Sequence, residues 1–423
     1  MPTTETATKF QTIALILFVA GLSAFGPFVT DFYLPTLPAQ QSDFATTGPM
    51  VQLGLSATMW SLALGQLWIG PLSDRQGRRG PLIASLIVFS LSTLGAVYAP
   101  NIETFIAMRF LEGLGASGAL VMSRSIAADS KTGKELVTFM SIVGAVQGIA
   151  PITAPMLGSL IADFAGWRGI FLALLGIGLV LLAATVFWFK ESLPVERRRT
   201  GKHGVWRMLL SDRLFLSVVA QQFLASAVLF GHIASSPFVF QEVFHFSAGI
   251  YSLIFGGLAL AITLGALLSP RMSDPVIAMS RGAIGMTVAS LLVSLAFWLE
   301  LSAFWVIVGL GVLLVSLGLT LPAAMTFALM LHRANSGAAA ALLGAVAFGA
   351  GGMVAPLTVL GSPETSVSVI FMISSVLLLL VARVMSRAWR RVREETLGVD
   401  RNRSLQTSHF NEGTKRTNSF LLR

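Results

Sequence analysis

The chain has 423 residues, of which 54% are hydrophobic and only 12% charged, and its formal net charge is +9. A soluble globular protein carries roughly 25% charged residues, so this excess of apolar surface excludes an ordinary water-soluble fold. The chain has no cysteine, and none of its five histidines pairs with another at metal-binding spacing. We therefore expect no disulfide, no metal and no cofactor.

Apolar runs predict twelve membrane-spanning helices, because about 20 apolar residues cross a hydrocarbon core roughly 30 Å thick. The first run follows a short cytoplasmic N-terminus, residues 1–9, and has no convincing cleavage site, so we interpret it as an uncleaved span. The predicted spans lie near 10–33, 50–70, 81–99, 104–127, 136–161 and 167–189, and then near 213–240, 248–269, 282–300, 303–331, 336–360 and 365–385.

The spans divide the chain into two similar halves. A six-helix bundle at 10–189 precedes a basic cytoplasmic linker at 190–212, a second bundle at 213–385 and a polar tail at 386–423 that we predict to be disordered. Two dipeptides, Ser73-Asp74 and Ala154-Pro155, recur about 200 residues later. The predicted fold is an all-α integral membrane protein with two pseudo-symmetric bundles, as in transporters built from parallel repeats.

The distribution of charge predicts the orientation of the chain. With a cytoplasmic N-terminus, nearly all basic residues fall on inner segments, whereas the outer segments contain Arg168 alone. This asymmetry follows the positive-inside rule and predicts that both termini are cytoplasmic. The net positive charge then reflects topology and contact with anionic lipid, and we do not expect nucleic-acid binding.

Span one ends with a carboxylate, Asp31, which shares a helix face with Ser23 and Pro27. Ionisable groups inside a membrane are costly and usually functional. We hypothesise that Asp31 is the main carboxylate for which protons and substrate compete. The alternative is a helix-end residue exposed at the membrane interface.

The loop between spans two and three reads Gly70-Pro-Leu-Ser-Asp-Arg-Gln-Gly-Arg-Arg-Gly-Pro81. Its glycine allows a tight turn, and its charged residues can bind helix ends or pair across helices. We predict a conformational clasp that holds the two halves together on the inner side, and the alternative is a basic loop that only sets topology. The predicted clasp residues are Gly70, Asp74, Arg75, Gly77, Arg78 and Arg79.

Span four contains two opposite charges three residues apart, Arg109 and Glu112. They can pair with each other, but an isolated pair in lipid stabilises poorly, so an aqueous cavity between the halves explains them better. We predict that Arg109 modulates Asp31 electrostatically. Glu112 is either a second proton site or the partner that neutralises Arg109, and the sequence leaves both readings open.

Span five carries a stripe of small residues and prolines at helical spacing. Small residues allow close helix contact, and prolines kink a helix and free backbone carbonyls. We predict a hinge or a seal between the halves, against the alternative of ordinary helix packing. The stripe comprises Gly144, Gly148, Pro151, Pro155 and Gly158.

Span seven presents hydrogen-bonding side chains, including Gln221 and His232, along one face. We predict that they line the substrate cavity together with Gln147 of span five. Histidine is the side chain that ordinarily titrates near neutral pH. The alternative is a packed, neutral histidine.

The loop after span two resembles the signature loop of the major facilitator superfamily. Further stretches together resemble the Bcr/CflA-type multidrug exporters of that superfamily: 30–38, 109–113, 151–158, 167–171, 190–197 and 236–242. The resemblance implies proton-driven antiport across the bacterial inner membrane, and it identifies the span-five stripe with the antiporter-associated motif. The chain departs from the pattern in two places, namely the incomplete loop 270–275 and Glu112, where the family often has a neutral polar residue.

No arrangement typical of an enzyme or a nucleotide site is present in the sequence, so we expect an ion gradient to supply the energy. The predicted function is proton-coupled export of small amphipathic molecules by a monomer. Substrate would bind between spans one, four, five, seven, eight, ten and eleven. One alternative is a carrier of a single metabolite such as a nucleobase, amino acid or sugar, and another is a non-transporting membrane receptor or scaffold.

Overall fold

A computed structural model describes residues 4–130, 133–198, 205–332 and 335–420, with most side chains between 12 and 394. Within these residues the chain forms thirteen α-helices, and α2 and α7 are short. The helices are α1 Thr4–Asp31, α2 Leu37–Asp43, α3 Gly48–Gln76, α4 Arg79–Val97, α5 Ile102–Ser130, α6 Gly133–Phe187, α7 Val205–Ser211, α8 Arg213–Phe238, α9 Ala248–Leu268, α10 Pro275–Trp298, α11 Ala303–Leu331, α12 Ser336–Val354 and α13 Pro363–Phe420.

The long helices form the predicted twelve-helix membrane fold, because α6 contains two spans. Gly166 interrupts α6 with a φ of 65° and a ψ of −174°, a backbone conformation that favours glycine. Ten stretches of the described chain are long and apolar enough to cross a membrane. Helix α3 is not among them, because it buries polar side chains such as Gln52, Thr58 and Gln66 in the protein interior.

Equivalent helices pack in the same way within each half. In the first half α5 packs against α3 and α4 while α6 packs against α1 and α4, and in the second half α11 packs against α9 and α10 while α13 packs against α8 and α10. Close approach depends on small residues: a side chain at Gly115 would collide with the backbone of α4 at Ser85 and Phe89. The halves meet mainly where α3 contacts α12 and where α6 contacts α9.

Two segments differ from the sequence predictions. Helix α10 begins at Pro275, seven residues before the predicted span, because Asp274 caps its N-terminus by accepting a hydrogen bond from the Val276 amide. Helix α13 continues to Phe420, through the part of the tail that we predicted to be disordered. The segment from 386 to 420 contains no proline, and its seven arginines are good helix formers.

Candidate functional site

A buried ion pair lies inside the first half. Arg109 and Glu112, both on α5, are completely excluded from solvent, and the Arg109 Nη1 donates to the Glu112 Oε2 at 2.5 Å. The Arg109 Nη2 donates to the Val29 carbonyl of α1 at 2.8 Å, and the guanidinium lies 4.4 Å from the centre of the Tyr33 ring. This packing differs from the predicted aqueous setting. Glu112 is placed to neutralise Arg109, which ties α5 to the end of α1.

Asp31, the last residue of α1, lies beside this pair but does not bond to it. Its side chain is 3% exposed, and its Oδ1 has no hydrogen-bond partner among the described residues. Four residues after Asp31, the Pro35 carbonyl accepts a hydrogen bond from Gln241 of the second half at 3.0 Å. The predicted proton carboxylate therefore lies at the boundary between the halves, closed off from solvent in this state.

The facing wall of the second half is polar and aromatic. The hydroxyl of Tyr251 shares a hydrogen bond with Ser236 Oγ at 3.2 Å, and the Tyr251 ring lies 5.8 Å from that of Phe255. His232 is 3% exposed and stacks on Phe255 at 5.7 Å. A small cavity beside these groups opens inside the second half, lined by His232, Ser235, Ser236, Val239, Phe240, Val293, Phe297, Leu310, Val367 and Phe371.

The structure describes the side chain of one of the two glutamines that were predicted to line the cavity. Gln221 is completely buried in α8, and its amide nitrogen and oxygen have no hydrogen-bond partner in the described part of the chain. A buried amide without partners is energetically unfavourable. The side chain of Gln147 lies outside the described residues.

Side-chain hydrogen bonds to backbone carbonyls join the halves at the predicted outer end. Gln52 of α3 donates to the Ala234 carbonyl at 2.5 Å. Gln241 donates to the Pro35 carbonyl at 3.0 Å, and Ser252 donates to the Pro155 carbonyl at 3.1 Å. These three bonds, which we call the outer latch, hold the two halves together at that end.

The described part of the α6 stripe lies at the same boundary. A side chain at Gly158 would collide with the carbonyl oxygen of Phe32, so the glycine lets α6 contact the end of α1 directly. Pro155 is buried and accepts the bond from Ser252, whereas Pro151 is half-buried. This placement suits a seal between the halves. Gly144 and Gly148 lie outside the residues whose side chains are described.

The predicted clasp is built around the side chain of Arg78. Its Nη1 donates to Asp74 at 2.6 Å and to Ser73 at 2.7 Å, while its Nε donates to Asp129 at 2.8 Å. Burial lowers the pKa of Arg78, but the hydrogen bonds and charges of Asp129 and Asp74 outweigh burial and raise that pKa above its ordinary value. Gly77 has a φ of 100° and makes the turn, as predicted from its sequence position.

A third acid, Glu191, completes the clasp. Its two carboxylate oxygens accept the backbone amides of Arg78 at 2.8 Å and Arg79 at 3.2 Å, at the start of α4. Burial raises the pKa of Glu191, but these amides, the Leu193 amide and the Arg198 charge together lower it below its ordinary value. Gly70 and Arg75 flank the network, and Arg75 is exposed.

The clasp differs from the prediction in one respect: the bonds described here all join parts of the first half. Asp129 ends α5 and Glu191 follows α6, so Arg78 ties the inner ends of neighbouring helices rather than the two halves. Sequence reasoning overlooked both partners. The only available signal was their position, because each acid directly follows a span on the predicted inner side.

Comparisons with known proteins agree with this architecture. The chain is 32% identical over 365 residues to the Uncharacterized MFS-type transporter YdgK of Bacillus subtilis. The aligned region covers 84% of this chain and 90% of that protein. It is 28% identical to the Multidrug resistance protein MdtL of Escherichia fergusonii, over 62% of this chain and 63% of that protein. The latter relative supports the resemblance to drug-resistance proteins.

The fold matches solved transporters at low sequence identity. A bacterial homologue of the human lysosomal transporter Spinster, in an inward-facing and unoccupied conformation, superposes with a TM-score of 0.72 at 15% identity, covering 88% of this chain and 97% of that one. Residues 13–356 match the Major Facilitator Superfamily. The chain is therefore a member of the major facilitator superfamily, a multi-pass membrane transporter of small molecules and not an enzyme.

Proposed function

We propose that this protein is a proton-coupled antiporter that exports small amphipathic, drug-like molecules by alternating access. We propose further that it works as a monomer in the bacterial inner membrane, with both termini in the cytoplasm. The multidrug-resistance relative supports the substrate class. The concentration of basic residues on one set of connecting segments supports the orientation.

The observation that carries the proposal is the buried, unpartnered carboxylate oxygen of Asp31 at the boundary between the halves. An ionised carboxylate is costly in such a place unless a proton or a cationic or polar group joins it. Binding of substrate and binding of a proton would then exclude each other. That competition couples the two movements in opposite directions.

Glu112 leaves Asp31 free for this role. The ion pair with Glu112 satisfies the charge of Arg109, so Arg109 needs no bond from Asp31. Within this proposal, Glu112 is a neutralising partner rather than a second proton site. Arg109 acts on Asp31 through the backbone of Val29, which it binds at 2.8 Å and which lies two residues before Asp31.

Alternation follows from the two ends of the carrier. The outer latch holds one end closed in this state, and its neutral hydrogen bonds to carbonyls are individually weak, each worth about 0.5–1.5 kcal/mol. Proton or substrate binding near Asp31 would shift the equilibrium between the state that the outer latch closes and a state that is closed at the inner end. The carrier would then open at its outer end.

The test is transport by the purified protein in liposomes that carry a pH gradient. We expect the wild type to exchange ethidium, an amphipathic probe, for protons, and we expect Asp31→Asn to lose this coupling. Asp163→Asn removes an exposed acid three residues before the interruption of α6 at Gly166, and it serves as the matched control that keeps coupling. Full proton coupling in Asp31→Asn would overturn the proposal.

The same assay separates the alternatives when a substrate panel replaces the single probe. Movement of several unrelated amphipathic compounds supports a drug exporter. One tightly bound nucleobase, amino acid or sugar, with no response to the drugs, identifies a single-metabolite carrier. A folded protein that moves neither protons nor any member of the panel supports a receptor or scaffold.

A further inference from the structure

The carboxylate of Asp274 joins the start of α10 to the tail helix. Its Oδ1 accepts the Val276 amide at 2.8 Å and caps α10. Its Oδ2 accepts the indole Nε1–H of Trp389 at 3.0 Å and lies 3.6 Å from Nη1 of Arg393. The Asp274 side chain is only 12% exposed, so these contacts form in a largely water-excluded place.

Apolar contacts also hold this part of the tail. The Trp389 ring meets the Phe327 ring of α11 edge to face, at 4.9 Å and 80°. Trp389 further packs on the cluster that contains Met279 and Met385. The tail residues just beyond the last span are therefore docked onto the inner end of the second half. Trp389 makes both a polar contact, through its indole N–H, and an apolar contact, through its ring.

An equivalent connection exists in the first half, between the residues after its last span and the start of α4. In the first half the residue after the last span is the hydrogen-bond acceptor, whereas in the second half it is the donor. There, Glu191 follows the last span of its half and accepts amides at the start of α4. Here, Trp389 and Arg393 follow the last span of their half and donate to the acid at the start of α10. The second half has Pro275, Ala278 and Met279 at the positions that correspond, 200 residues earlier, to Arg75, Arg78 and Arg79, and the tail supplies the donors instead.

We propose that Trp389 and Arg393 are positioning residues, and that the tail thereby forms a second inner clasp. By holding the start of α10 against the middle of α13, just beyond the last predicted span, the clasp keeps the inner end of the second half rigid while the halves rock. The indole carries most of this role. Arg393 is 63% exposed and its pair with Asp274 is long, and such exposed pairs contribute little.

A spin-label distance measurement tests the contact directly. The chain lacks cysteine, so Ser273→Cys and Ala388→Cys, both at exposed positions, can be labelled without background. We expect a narrow distance distribution that broadens with Trp389→Phe, which keeps the ring and removes the donor, and with Asp274→Asn, which keeps a capping group. Because the two residues act on one contact, the double variant should be no broader than the broader single variant.

Arg393→Gln should broaden the distribution only slightly, because its pair with Asp274 is long and exposed. Arg391→Gln removes the same charge from an exposed neighbouring position and is its matched control. It should leave the distribution unchanged. Ethidium transport is the second readout: Trp389→Phe should lower Vmax with KM unchanged, since the clasp lies away from the cavity. An unchanged distribution in both Trp389→Phe and Asp274→Asn overturns the second clasp. The distance measurement needs no transport, so it stands even if ethidium is not a substrate.

Discussion

Arg109 and Glu112 form an ion pair whose two side chains are both fully excluded from solvent, at a distance of 2.5 Å. Arg109 is also held by the Val29 carbonyl and by the face of Tyr33. A pair in such surroundings depends on both partners, because loss of one leaves a buried charge with nothing to offset it. The pair thus contributes to the packing of α5 against α1 at Val29, two residues before Asp31.

Glu112→Gln should therefore destabilise the protein strongly, by about 3–5 kcal/mol, because it leaves the Arg109 charge uncompensated. Thermal unfolding in detergent measures the change. Glu103→Gln, at the exposed start of the same helix, is the control and should have little effect. A stable Glu112→Gln protein would mean that Arg109 finds another partner, and the neutralising role of Glu112 would be wrong.

Gln52→Ala should weaken the outer latch. The lost bond to the Ala234 carbonyl is worth about 0.5–1.5 kcal/mol, so the population open at that end should rise about two- to tenfold. Labelling of a cysteine at Ser235 by a membrane-impermeant maleimide reports this opening, and faster labelling is expected. Gln76→Ala, exposed at the other end of α3, should leave the labelling rate unchanged.

Gly158→Ala should disturb the contact of α6 with α1, because the added methyl group meets the carbonyl oxygen of Phe32. Backbone cannot move aside as a flexible side chain does, so we expect a loss of about 1–3 kcal/mol in stability, together with slower transport. Gly176→Ala, where an added methyl group meets nothing within 4 Å, is the control and should keep wild-type stability. Equal melting temperatures for the two variants would contradict this close contact.

Glu191 makes the stability of the first-half clasp depend on pH. Because its pKa is lower in the folded protein, its contribution is complete above the ordinary value of 4.5 and is lost as the pH falls through the lowered value. The melting temperature of the wild type should fall across that range, and Glu191→Gln should show a shallower fall from a lower starting point. Glu196→Gln, an exposed neighbour, should follow the wild-type curve.

The sequence alone determined the membrane fold, the number of spans and the position of the clasp loop. Hydropathy is a local property: each span must match the bilayer by its own composition, so the twelve helices can be counted without knowing their neighbours. Gly77 and Arg78 were likewise recognisable, because the short loop around them requires a turn and carries charges beside a helix end.

Only the tertiary structure decided which groups meet. Arg78 binds Asp129 and Glu191, which lie far along the chain, and Trp389 of the tail reaches Asp274 across more than a hundred residues. Arg109 and Asp31 were expected to share an aqueous cavity, but Glu112 and Tyr33 enclose the guanidinium instead. Such partners depend on how helices rotate and pack, and side-chain packing between distant segments leaves no periodic trace in the sequence.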